Sequence, residues 1–142
     1  MTNVNSLVNI AVFGIGGAII MAALIGLLLV ASGSARGASP RVRLAFGCAS
    51  IVLLVSLPSL AATNALVTSA TFGTAFVTAT CVVAIIYAVN IALLPVVARR
   101  QAAVSGQSAL AGLRPSLPVL AAGLGVCLLM GLLGSVVGLL VA

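Results

Sequence analysis

Long apolar runs separated by short polar stretches set the pattern of this chain. Residues 4–31, 44–62, 75–98 and 117–142 are almost wholly apolar, and none contains a charged side chain. A helix needs about 20 such residues to cross a hydrocarbon core, so each run is predicted to be a membrane-spanning helix. The expected fold class is all-α: one membrane domain over residues 1–142, with four apolar helices in two tandem helical hairpins (about residues 4–62 and 75–142). Pro58 lies near the end of the second and shortest run, where a kink or an early stop is expected. Pro95 has the same place in the third run, and Pro118 falls in the first turn of the fourth, where proline costs least. A secretory signal peptide is the rival reading of the first run, with small residues at Ala31, Gly33 and Ala35 resembling a cleavage site. Its leading MTNVNS has no basic residue, however, and the apolar stretch exceeds a typical signal core, so a retained helix is expected.

The connections differ in charge. Residues 32–43 read SGSARGASPRVR and carry Arg36, Arg41 and Arg43. Residues 99–116 read RRQAAVSGQSALAGLRPS and carry Arg99, Arg100 and Arg114. Residues 63–74, TNALVTSATFGT, are uncharged. Arginine in short loops marks the cytoplasmic side of a membrane protein. Both basic loops are therefore expected inside, with the middle loop and both termini outside. An internal duplication fits this plan, and parallel repeats of the kind occur in transporters.

Composition narrows the function. Of the 142 residues 63% are apolar and 4% charged, against roughly 25% charged in ordinary soluble domains. The six arginines are the only ionised side chains, since Asp, Glu, His and Lys are all absent. Those four residue types are the usual suppliers of general acid–base catalysis, and a nucleophilic Cys, Ser or Thr needs a base beside it. The chain is not expected to be an enzyme. A drug or cation antiporter would need an intramembrane carboxylate, which excludes that class as well. Cys48, Cys81 and Cys127 sit on three different runs without a clustered ligand pattern, so they read as small buried hydrophobes rather than a metal site, with a disulfide between spans left open by the spacing. With no histidine, only Met21 or Met130 remains as a haem ligand within the spans. GIGGA at residues 14–18 lacks the strand and the acidic partner of a dinucleotide-binding turn. No cofactor is expected, whereas bound lipid suits the composition.

Small residues define the helix faces. Gly14, Ala18, Ala22 and Gly26 follow one another at spacings of four, as do Gly134, Gly138 and Ala142, with Gly131 and Ser135 beside them. In lipid such stripes let helix backbones approach, within the chain or between copies; the abundance of Gly and Ala also produces some spacings of four by chance. Polar residues inside the runs are few, and Asn9, Ser50, Ser56, Thr78, Thr80 and Asn90 are the main ones. Asn90, one turn after Tyr87, is expected to close a hydrogen bond within the bundle rather than to bind a ligand. The six arginines serve topology and anionic headgroups, or form a phosphate-binding surface for lipid or nucleic acid. No aromatic residue is interleaved with them for base stacking.

The run at residues 14–30, the basic turn SGSARGASPRVR and the run at residues 44–60 resemble the hairpin of conjugative (type IV secretion) pilins, including those of archaeal DNA-transfer systems. The second half repeats the plan with Arg99, Arg100 and Arg114. The resemblance implies a non-catalytic structural subunit that leaves the membrane with lipid and assembles with its own copies into a cell-surface tube. It further implies that Arg36, Arg41, Arg43, Arg99, Arg100 and Arg114 face a lumen that nucleic acid traverses and offset lipid phosphates there. The alternative is a small accessory subunit held by larger partners in a respiratory, photosynthetic or secretion complex. A passive pore lined by backbone and hydroxyls is the third reading.

Overall fold

A computed structural model describes residues 4–32, 39–68, 71–106 and 116–141. The first span consists of α1 (Val4–Asn9), a π-helical turn (Ile10–Ile15) and α2 (Gly16–Ser32). It is followed by α3 (Pro40–Val67), α4 (Phe72–Ser105) and α5 (Leu117–Val141), and no strand occurs among the described residues. The fold is all-α, and the four helical spans are each long and apolar enough to cross a membrane.

Two helices outrun the lengths read from the sequence. α3 begins at Pro40, before the expected residue 44, because Ser39 caps it: the Val42 N–H donates to Ser39 Oγ at 3.3 Å and Pro40 occupies the first turn. A proline there loses no helical hydrogen bond. α3 also continues through Pro58 and past residue 62 to Val67. Proline removes the N–H that would bond the carbonyl four residues back, yet the helix continues, with hydroxyls of the next turns bonding its carbonyls. Ser59 Oγ donates to the Val55 carbonyl at 2.7 Å, and Thr63 Oγ1 donates to the Ser59 carbonyl at 2.8 Å. The uncharged connection expected at residues 63–74 thus shrinks to the few residues between Val67 and Phe72. Thr71 caps α4, accepting from the Thr74 N–H at 3.4 Å. At its far end α4 runs past Pro95 to Ser105, where Gly106 (φ 69°) takes the left-handed conformation and donates its N–H to the Ala102 carbonyl at 3.0 Å. Glycine is the residue that accepts this C-terminal conformation without strain. As a result Arg41, Arg43, Arg99 and Arg100 lie on helices rather than in loops.

Consecutive spans alternate in direction. Asn9 near the start of the first span meets Asn64 near the end of α3, while Gly17 faces Leu57. Gly123 lies under Tyr87 and Gly131 under Thr80, so α5 runs against α4. Gly134 and Gly138 lie against Pro58 and Ala62, so α5 runs along α3. α3 and α4 form the central pair; the first span packs on one side of it and α5 on the other, without touching each other among the described residues.

The packing is inverted with respect to a protein in water. The buried positions are mostly small: Ala61, Ala62, Ala65, Ala75 and Ala79 are sealed, with Ser59 and Ser135 among them. The larger core side chains Met21, Val82 and Ile86 gather at the junction of the first span, α3 and α4. Large apolar side chains such as Leu7, Ile19, Leu27, Ile51, Leu129 and Leu140 stand outside. Among the described residues, none of α2, α3, α4 and α5 gathers its polar residues on one face. An all-round apolar helix with small residues at its contacts is the form adopted in lipid, where packing rather than hydrophobicity joins helices. The chain is a small membrane protein.

Candidate functional site at the basic end

The alternating directions bring the described arginines to one end of the bundle. Arg41 and Arg43 occupy the first turn of α3, and Arg99 and Arg100 the last two turns of α4; all four are exposed. Arg36 and Arg114 lie outside the described residues. Because the chain contains no Asp or Glu, no arginine has a side-chain counter-ion in its own subunit. Like charges in one region repel unless anions from outside sit between them. Arginine's planar fork, charged at every physiological pH, matches phosphate oxygens. The arrangement offers exposed cationic forks of a shape complementary to anionic oxygens.

Beside this end, α2 and α3 part to leave an open cleft of about 180 Å³. Leu24, Ile25 and Leu28 form one wall, and Arg43, Phe46, Gly47 and Ser50 form the other. The second set follows helical spacing (i, i+3, i+4, i+7), so one face of α3 offers a cation at its rim and apolar surface deeper down. Gly47 leaves the floor empty: a Cβ there would meet nothing within 4 Å. Ser50 Oγ donates to the Phe46 carbonyl at 2.8 Å, so its proton is used within α3. This cleft has no signature in the sequence, because its two walls belong to different helices.

The small-residue positions divide between contact and open space. A Cβ on Gly14 would come within 2.7 Å of Ile85 Cδ1, and Ala18 is buried. Ala22 is half-buried, and Gly26 has nothing within 4 Å. On α5, a Cβ at Gly134 would lie 3.1 Å from Pro58 Cβ, and one at Gly138 would lie 3.0 Å from Ala62 Cβ and from the Thr63 nitrogen. Gly131 abuts Thr80, whose buried hydroxyl has no hydrogen-bond partner, while Ser135 Oγ donates to the Gly131 carbonyl at 2.7 Å. Ala142 lies outside the described residues.

Polar side chains tie helices together at two points. Asn9 is buried and accepts from Asn64 Nδ2 at 3.1 Å, joining the first span to α3. Tyr87 donates to the Leu120 carbonyl at 3.3 Å, joining α4 to α5. Asn90 is half-exposed one turn further along α4. Cys127 is buried, Cys81 half-buried and Cys48 exposed on α3, all three as free thiols. No family model, curated protein or solved structure matches this chain.

Proposed function

We propose that the chain is a non-catalytic structural subunit that assembles with copies of itself and with lipid, in the manner of a conjugative pilin. Its basic end would line a lumen. The observation that supports this reading is the gathering of uncompensated arginines at one end of an otherwise uncharged, externally apolar bundle. Copies arranged in a ring would bring those cations together, and phosphates of lipid or of a passing nucleic acid would be the groups to offset them. The apolar exterior supplies contact area on every side for neighbours and acyl chains. The sequence distribution of arginine supports a cytoplasmic basic end before extraction.

The test is to shear cells, pellet the released material and examine it by electron microscopy. Uniform tubes containing this protein and lipid are expected. If the chain stays in the membrane and copurifies with larger proteins, the pilin reading fails. That second outcome has its own structural support: the first part of α5, residues 117–126, is exposed at every position but Gly123. An accessory subunit would present such a surface to a larger partner. The sidedness is checked separately in a chain with its three cysteines replaced by alanine. A membrane-impermeant maleimide applied from outside should label Thr68→Cys and spare Arg99→Cys until the cells are opened.

A further inference from the structure

We infer that the cleft between α2 and α3 is a binding site for one anionic phospholipid, its phosphate on Arg43 and an acyl chain along Leu24, Leu28 and Phe46. The inference rests on membrane residence alone and stands whether or not the chain forms filaments.

Three observations combine. Arg43 is exposed at the rim of the cleft, with no carboxylate side chain anywhere in the chain to pair with it. An arginine at a spanning helix's end sits at headgroup depth, where anionic lipid attracts it and its long stem can lie along apolar surface. Below it, the walls are leucine, isoleucine and phenylalanine, and the missing side chain at Gly47 leaves the space between them open. A charge at the rim with apolar walls beneath matches a ligand that is anionic at one end and aliphatic at the other. The volume of about 180 Å³ suits part of one chain, with the headgroup outside. Arg41 lies two positions away on a helix and so points to a different side of α3. It provides general surface charge but no wall of the cleft.

A free phosphate would use the same arginine but not the apolar walls, so the two sources separate experimentally. The full-length chain, purified in mild detergent, is mixed with phosphatidylglycerol or phosphatidylcholine, and retained lipid is counted by native mass spectrometry. One phosphatidylglycerol should be retained in preference to phosphatidylcholine. Arg43→Gln should lower that retention about fivefold, the equivalent of ~1 kcal/mol for one arginine at an anionic surface. Gly47→Leu should lower it as well, with every charge intact, because the new side chain fills the cleft; its Cβ meets nothing within 4 Å, and helical circular dichroism equal to the parent's checks that the bundle is folded. Arg41→Gln should change retention by less than half as much. Equal losses for Arg41→Gln and Arg43→Gln would reduce the effect to unspecific surface charge and overturn the site. Full retention in Gly47→Leu would overturn the acyl position. Displacement of the lipid by millimolar inorganic phosphate would show an anion site without a lipid preference, which also overturns the proposal.

Discussion

The two ends of the bundle are built from opposite materials. At the uncharged end, Ala62, Ala65, Ala75 and Ala79 seal the α3–α4 contact, Gly138 brings α5 onto α3, and Asn9 bonds Asn64 across to the first span. At the basic end, α3 is exposed from residue 39 to 45, α5 from 117 to 122, and α2 and α3 stand apart around an open cleft. Helices in lipid gain little from burying leucine against leucine, so they hold together where backbones come close and polar groups find partners. The uncharged end supplies both conditions. Among the described residues the basic end supplies less of either: its arginines are long, like-charged and without acids to bridge them. One end is thus closed by the chain itself, while the other depends on what surrounds it.

The largest effect that sharpens this contrast comes from α5 alone. Gly134→Leu or Gly138→Leu would force a side chain against α3 backbone, with Ser59 N at 3.2 Å and Thr63 N at 3.0 Å from the new Cβ. Overpacking of this kind costs about 1–3 kcal/mol or prevents assembly of the helix. At Gly125, nine residues before Gly134, an added Cβ meets nothing within 4 Å, so Gly125→Leu should stay within about 0.5 kcal/mol of the parent. Reversible unfolding in mixed micelles measures all three. Equal losses at positions 125 and 138 would break the distinction between a closed and an open end.

A second, smaller effect addresses the polar tie. Asn9→Leu should destabilise the bundle by about 1 kcal/mol, since it removes the buried partner of the Asn64 amide. Asn64→Leu should do the same, and the double variant should cost less than the two single losses added together. Additive losses in the same micelle assay would mean that the 3.1 Å contact contributes nothing to holding the first span.

The all-α class and the four spans were legible because an uninterrupted apolar run has few other fates in a chain this poor in charge. Helix ends were less so. Ser39 and Pro40 form a recognisable start signal, yet the charges at Arg41 and Arg43 drew the boundary inward. At the other end of α3, Thr63 and Asn64 look like loop residues, but in a membrane helix a threonine can bond its own backbone and an asparagine can bond a neighbour. The gathering of the arginines followed from the alternation of spans and the charge of the connections. The cleft did not, since Leu24 and Gly47 meet only once two helices are packed. The π-helical turn at Ile10–Ile15 likewise has no composition of its own. It lies between Asn9, tied to α3, and Gly17, pressed on Leu57 and Ile86, where an extra residue per turn changes the phase between the two contacts.

The smallest expected effect lies between the two ends, where α5 begins to leave the bundle. Tyr87 donates to the Leu120 carbonyl at 3.3 Å and lays its ring over Gly123. Tyr87→Phe removes only the hydroxyl, and a hydrogen bond of this length should be worth about 0.5 kcal/mol. Gly123→Ala is the informative companion. Its methyl group would meet the end of the Tyr87 side chain, which can turn aside, whereas a methyl at Gly138 meets the Thr63 backbone, which cannot. Gly123→Ala should therefore cost less than Gly138→Ala, although its first contact is the closer of the two. Combined with Tyr87→Phe, it should add little, because both changes loosen the same attachment. If Gly123→Ala proves the more damaging, then α5 is held chiefly by its tyrosine contact with α4, and the closed end does not extend along this helix from Gly138.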